Sequence, residues 1–188
     1  VLAGNDTILS YVTLTSSHDG KHALTIGDNS TRIVCMNTFN ASMGTGGQYG
    51  FRVYHTKNAK LAIPNIGEVF NKILLGRSEL KCQLDLLRSI AVESHSVVPL
   101  VLAFQGNLMP TTQGYNVALE VQELFQNGKG NKGETLYDVW NGFTECYTHG
   151  IGTGRKTNPL EKMYKANYGA ASDRKPHFLN WLTGMNTE

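Results

Sequence analysis

His18 and Asp19 stand side by side in the stretch Ser17-His18-Asp19-Gly20. An imidazole and a carboxylate held on one tight turn can trade a proton or share a cation. The same four residues also make an ordinary turn, with His18 simply exposed beside a turn-forming Asp-Gly pair. His55 is a second imidazole near a strand end, and Glu145 and His149 are a third group, one helical turn apart. That spacing lets two side chains pair or grip one ion, and Asn141 lies a further turn back on the same stripe. It is not the His-Glu-x-x-His helix of a metalloprotease, and a hydrogen-bonded structural pair has the same spacing. If His18, Asp19, His55, Asn141, Glu145 and His149 met in space, they would suit metal-assisted phosphoester hydrolysis. No spacing among them specifies a metal, and no motif specifies a cofactor.

A second set of residues suggests binding. Between Gly150 and Leu182, Arg155, Lys156, Lys162, Lys165, Arg174 and Lys175 face only Glu161 and Asp173, a local excess of four positive charges. Tyr164, Tyr168, His177, Phe178 and Trp181 are interleaved with them. Cations that track phosphates and rings that stack on bases are what single-stranded nucleic acid requires, with Tyr164, Tyr168 or Trp181 as the stacking groups. The competing reading is an amphipathic helix whose Lys and Arg stems cover apolar neighbours. Gly152-Thr153-Gly154-Arg155-Lys156 lacks the spacing of a phosphate-binding P-loop. Arg32, Cys35, Asn37 and Thr38 occupy a strand-to-helix junction, where Asn37 or Thr38 would cap a helix and Arg32 would hold a carboxylate or phosphate. Cys35 has no adjacent His and reads as a small apolar residue, not a nucleophile.

The elements that must position these groups follow from local chemistry. Thr7 to Thr15 is rich in β-branched and aromatic residues, Asp19-Gly20 suits a hairpin turn, and His22 to Ile26 alternates as the returning strand. Thr31 to Cys35 is strand-like, Met36 to Met43 has helical spacing ending at Gly44, and Tyr49 to His55 is a further strand. After Pro64 a long helix carries a seam at Ile66, Phe70, Ile73, Arg77, Leu80, Leu84, Leu87 and Ala91, widened by Leu74, Leu75, Leu86 and Ile90. The seam packs on the sheet or on a partner helix; a second copy of the chain there makes the protein a homo-oligomer. Val97 to Phe104 is either strand or buried helix. Tyr115 to Gln126 is helical, and Asn127 to Gly133 is a glycine-rich loop expected to be mobile. The next helix buries Leu136, Trp140, Phe143 and Tyr147, and a short helix lies near His177 to Leu182. The expected fold is α+β: an antiparallel sheet with a β-hairpin, covered on one face by a long helix, followed by a helical C-terminal part. One domain spans 1–188, mainly sheet over 1–60 and mainly helical over 61–188.

Composition closes off other classes. With 40% hydrophobic and 17% charged residues the chain has the makings of a core, and its net charge of +2 is too small for a global nucleic-acid field. The longest apolar run, Val97 to Phe104, contains Pro99 and is far short of a membrane helix. Cys35, Cys82 and Cys146 are odd in number and far apart, so a reducing, cytoplasmic setting is expected. The chain opens at Val1 without Met, a basic region or a signal-like core, and reads as a fragment of a longer chain.

Four strings taken in order carry a family resemblance: Ser17-His18-Asp19-Gly20, Arg32-Ile33-Val34-Cys35-Met36-Asn37-Thr38, His55-Thr56, and Asn141-Gly142-Phe143-Thr144-Glu145 followed by His149. Over roughly Gly4 to Trp181 the chain resembles the phage/plasmid-like proteins of domain-of-unknown-function family 932, with Gly142 where that family more often has Ala. The resemblance implies a mobile-element setting, and marks His18, Asp19, Gly20, Arg32, Cys35, Asn37, Thr38, His55, Asn141, Glu145 and His149 as important without assigning them roles. The leading expectation is a single-strand nucleic-acid binder or annealing factor of phage or plasmid DNA metabolism. A metal-assisted nuclease or other phosphoester hydrolase is the alternative, and a homo-oligomeric interaction protein the third reading.

Overall fold

The computed structural model describes residues 7–16, 23–34, 37–40, 51–54, 56, 65–106, 111–150, 158, 159, 161, 165, 166 and 170–184. Strands come first and helices follow, in an α+β fold. β1 (Ile8–Thr15) and β2 (Leu24–Arg32) pair antiparallel, from Ile8 opposite Arg32 to Thr15 opposite Thr25. The other flank of β2 takes β3 (Asn37–Asn40), with Arg32 opposite Asn37, and β4 (Phe51–Val53), with Leu24 opposite Val53. β2 is therefore the central strand, β1 forms one edge, and β3 and β4 lie end to end along the other. The turn between β1 and β2, with Asp19-Gly20, lies outside the described residues.

Two local expectations are overturned in this sheet. Gly27-Asp28-Asn29-Ser30, which separates the two strand-like runs His22 to Ile26 and Thr31 to Cys35, is part of the single strand β2. Its polar residues are compatible with a strand because Asp28 is 2% exposed and gripped by Arg77, whose Nε and Nη2 lie 2.9 and 2.8 Å from Asp28 Oδ1. Burial raises the Asp28 carboxyl above its ordinary value even against the pull of Arg77. The helix expected over Met36 to Met43 is instead β3 at Asn37–Asn40. Backbone pairing of β3 with Asn29 to Arg32 overrides the helix-compatible spacing there, because a ladder partner satisfies donors that local propensity leaves open.

Among the described residues, five named helices follow. α1 (Ile66–Ser89) is capped by Asn65, whose side-chain oxygen accepts from the Gly67 N–H at 2.8 Å. α2 (Ser94–Gln105) resolves the ambiguous apolar run as helix, with Pro99 inside it. α3 (Thr111–Asn127), α4 (Leu136–Cys146) and α5 (Ala170–Leu182) complete the set. The main core is a helix core: Leu84 and Leu87 of α1, Val97 and Val101 of α2, Val121 and Phe125 of α3, Phe143 of α4 and Phe178 of α5 meet with almost no exposure. Each such side chain contributes about 1.5–3 kcal/mol by leaving water. α4 is the hub, buried at every residue except Glu145 and packed against α1, α3, α5 and β3. Gly142 lets α3 come close, since a Cβ there would meet the Val121 carbonyl oxygen at 3.0 Å and the Phe125 nitrogen at 3.1 Å.

The α1 seam divides. Val69, Ile73, Leu80, Leu84 and Leu87 are buried, whereas Phe70, Leu74, Leu75, Leu86 and Ile90, expected to belong to the covered face, are exposed. α1 packs against both β2 and α4, which together cover only one side of its circumference.

The start of α4 is fixed by one carboxylate. Asp138 Oδ2 accepts from the backbone N–H of Glu134 and of Thr135 and from the Thr135 hydroxyl, each at 3.1 Å, while Oδ1 accepts from the Lys132 N–H at 3.3 Å. Asp138→Ala frees these donors at once and is expected to cost about 2 kcal/mol. A urea midpoint unchanged from that of the native chain would contradict this role.

Candidate functional site

Arg32, the last residue of β2, points into the protein and is 4% exposed. A buried guanidinium requires acceptors, and they come from the segment between α3 and α4. Arg32 Nη1 donates to the Lys129 carbonyl at 3.1 Å and to Asn131 Oδ1 at 3.0 Å, and Nη2 donates to the Gly130 carbonyl at 2.9 Å. Asn131 in turn donates to the Leu124 carbonyl at 2.8 Å. Two glycines make this possible. Gly130 has φ +74°, and a Cβ there would lie 3.0 Å from Arg32 Nη2; a Cβ at Gly128 would collide with the Leu124 carbonyl. The loop expected to be mobile is thus pinned to β2 by one side chain, and Arg32 serves that loop instead of an external phosphate. The Tyr137 ring adds to the anchor, with the Arg88 guanidinium 4.0 Å and the Arg32 guanidinium 5.5 Å from its centre.

The polar stripe of α4 passes beside this clamp as a gradient of burial. Asn141 is fully buried, Glu145 is half-buried and His149 is exposed. Glu145 Oε2 is buried without a hydrogen-bond partner among the described residues, and a Cβ on Gly128 would sit 3.1 Å from it. Burial raises the Glu145 carboxyl above its ordinary value; the charges of His149, Arg32 and Lys129 pull it back, and Glu120 adds to the rise. Glu120 Oε2 also accepts from the buried Cys146 thiol at 3.4 Å. Glu145 thus lies beside the turn that follows α4, where His149 is exposed, and beside a loop whose Lys129 and Lys132 are exposed.

Two of the four sequence strings therefore come together: Arg32 lies beside Glu145, and α4 packs against β3, which includes Asn37 and Thr38. His18, Asp19, Gly20, Cys35 and His55 lie outside the described residues. Among the described residues, no group of three His, Cys, Asp or Glu side chains is placed to hold a metal ion. Lys129, Lys132, Asn131 and Tyr137 were missed in the sequence. The glycine-rich composition around the lysines pointed to mobility, and the contribution of Tyr137 depends on contacts distant in sequence.

The basic tail is rearranged by packing. Arg155, Lys156, Lys162, Tyr164 and Tyr168 lie outside the described residues. Lys175 is not a surface phosphate contact: it is 1% exposed, and its Nζ donates to the Ala166 carbonyl at 3.0 Å and to Thr148 Oγ1 at 3.1 Å. Arg174 turns inward and donates to the Tyr147 hydroxyl at 3.0 Å. Lys165 is partly exposed but ion-paired with Glu161 at 2.8 Å. Trp181 packs by its rings against Phe104 and Phe178, with a third of its surface left to solvent. In α5 the interleaved rings build core, and two of its cations are consumed inside the protein.

A model of the family described as a domain of unknown function, DUF932, matches residues 1–168. The chain belongs to that family. The match takes in β1 through α4 and stops before α5, so Arg32, Glu145 and His149 fall within the family's span and Lys175 and Trp181 beyond it. No curated protein and no solved structure matches the chain. Among the described residues, no helix is long and apolar enough to cross a membrane.

Burial drives the Lys175 ammonium down to about 7. Below that pH the group is charged in the folded and unfolded chains alike, and its burial destabilises fully. Above it the folded chain has released a proton that the unfolded chain keeps until about pH 10, so stability gains from rising pH. Between about pH 7 and pH 10, the difference in unfolding free energy between the native chain and Lys175→Met is expected to move steadily in favour of the native chain. A difference that stays flat across this range would show that Lys175 is not buried in this way.

Proposed function

We propose that the protein binds single-stranded nucleic acid, as a binder or annealing factor of phage or plasmid DNA metabolism, through the glycine loop between α3 and α4 instead of through α5. The observation that carries this reading is the mount. Lys129 and Lys132 are exposed on a segment whose backbone is held by Arg32, so two ammonium groups are presented without the ordering cost of a floppy loop. The exposed His149, like Lys129, lies near Glu145, and Arg155 and Lys156 follow it in sequence by six and seven residues, a reach of about 20 Å of extended chain. Under this reading Lys129, Lys132, Arg155 and Lys156 contact phosphates, and the setting is the one that the phage/plasmid-like resemblance implies.

Fluorescence anisotropy with a labelled single-stranded oligonucleotide at low and moderate salt tests it. Saturable binding that weakens with salt is expected, and each of Lys129→Ala and Lys132→Ala should lower the slope of log affinity against log salt by roughly 0.7. Binding that is absent at low salt, or indifferent both to salt and to these two substitutions, removes the proposal.

A further inference from the structure

The two edges of the sheet are treated differently. The β3 and β4 edge is flanked by helices: α4 and α5 pack against β3, and Arg52 of β4 acts on Asp173 of α5. β1, at the other edge, has β2 as its only ladder partner among the described residues. Natural sheets blunt such an edge with Lys, Pro or a bulge, and Ile8–Thr15 has none of them: it runs Ile-Leu-Ser-Tyr-Val-Thr-Leu-Thr in unbroken register with β2. Its apolar residues are exposed on both faces, Leu9 and Tyr11 on one, Val12 and Leu14 on the other, with Leu14 at 68%.

We infer that β1 pairs with β1 of a second copy of this chain across a two-fold axis, joining the two sheets into one. The direction of the open hydrogen-bonding groups sets the register. The Thr7 carbonyl accepts from the Ile33 N–H at 2.9 Å, so in the continuous ladder Thr7, Leu9, Tyr11 and Thr13 turn their backbone groups toward β2. Ile8, Ser10, Val12 and Leu14 turn theirs outward. A two-fold axis perpendicular to the sheet keeps like faces together. Of the registers it allows, the one that places Tyr11 opposite the second copy's Tyr11 engages all four outward residues, pairing Ile8 with Leu14 and Ser10 with Val12. A self-pairing interface has to be its own complement, and a strand without a charged residue brings no like charges together.

The flank of α1 supports the same occupant. Arg77 reaches across to Asp28, the ladder partner of Val12, and Phe70 and Leu74 lie on that flank of the helix at helical spacing from Arg77. Both are exposed, at 46% and 58%, on the side of the sheet that carries Val12 and Leu14.

The test uses the whole chain and does not involve nucleic acid, so it stands or falls separately from the binding proposal. Sedimentation equilibrium in the micromolar range is expected to show a dimer, and Tyr11→Lys, which sets two ammonium groups opposite each other, should weaken it about tenfold or more. Circular dichroism checks that this variant is folded. Independently, Tyr11→Cys in a Cys82→Ser background should form an intermolecular disulfide on mild oxidation, because a directly opposed pair that does not exchange backbone hydrogen bonds brings its Cα atoms within bridging distance. Cys82→Ser alone should not cross-link. A monomer throughout the concentration range overturns the inference. So does a dimer that tolerates Tyr11→Lys and gives no Tyr11→Cys cross-link, since that dimer uses another surface.

Discussion

A guanidinium taken out of water must find acceptors, and the position of Arg32 at the end of β2 forces the neighbouring chain to supply them. Among the described residues, two backbone carbonyls and one side-chain amide of the segment between α3 and α4 accept from it. That requirement explains the glycines of the segment. Gly128 must pass close to the end of α3, and Gly130 must adopt a left-handed backbone so that its carbonyl can face the arginine. It also explains why the segment holds its shape without an apolar side chain of its own. Charge-assisted hydrogen bonds in a water-poor setting do the work that packing does elsewhere.

From this anchor the site follows geometrically. Pinning the loop presses Gly128 against Glu145, and the half-buried Glu145 side chain is then surrounded by charges drawn from a strand, a loop, α3 and the turn that follows α4. Asn141, Glu145 and His149 are equivalent in helical spacing, yet they end in three environments, because α4 is covered along most of its length and emerges into solvent only at its C-terminal end. The same asymmetry shapes the sheet. Its helix-facing side buries polar groups, Asp28, Ser30 and Arg32, while apolar β1 side chains stay in water. This arrangement reverses the usual one, and it places the unsatisfied apolar area on the edge strand and on the adjoining flank of α1.

The tail shows how composition misleads when burial is unknown. Aromatic rings interleaved with lysines and arginines read as a nucleic-acid surface, but in α5 the rings of Phe178 and Trp181 pack with Phe104, and Phe178 with Phe143, while the adjacent cations turn inward to Tyr147, Thr148 and Ala166. Long cationic stems are apolar for most of their length, so a helix can bury them against rings and neutralise the tip with a carbonyl or hydroxyl.

Much of the architecture was legible in the residues alone. The helical period over Ile66 to Ala91, over Tyr115 to Gln126 and after Leu136, the β-branched run before Asp19-Gly20, and the strings that mark the family are all local signals, and local sterics and periodicity are enough to specify them. Tertiary structure decided the rest. It made Asn37–Asn40 a strand, carried β2 through Gly27 to Ser30, immobilised the glycine loop, drew Arg32 to Glu145 and hid Lys175. Each of these outcomes depends on a partner far away in the chain: a ladder for a backbone donor, a carbonyl for a buried charge, a covering helix for a polar stripe. A single stretch of sequence states what a residue needs, and only the folded chain determines which distant group supplies it.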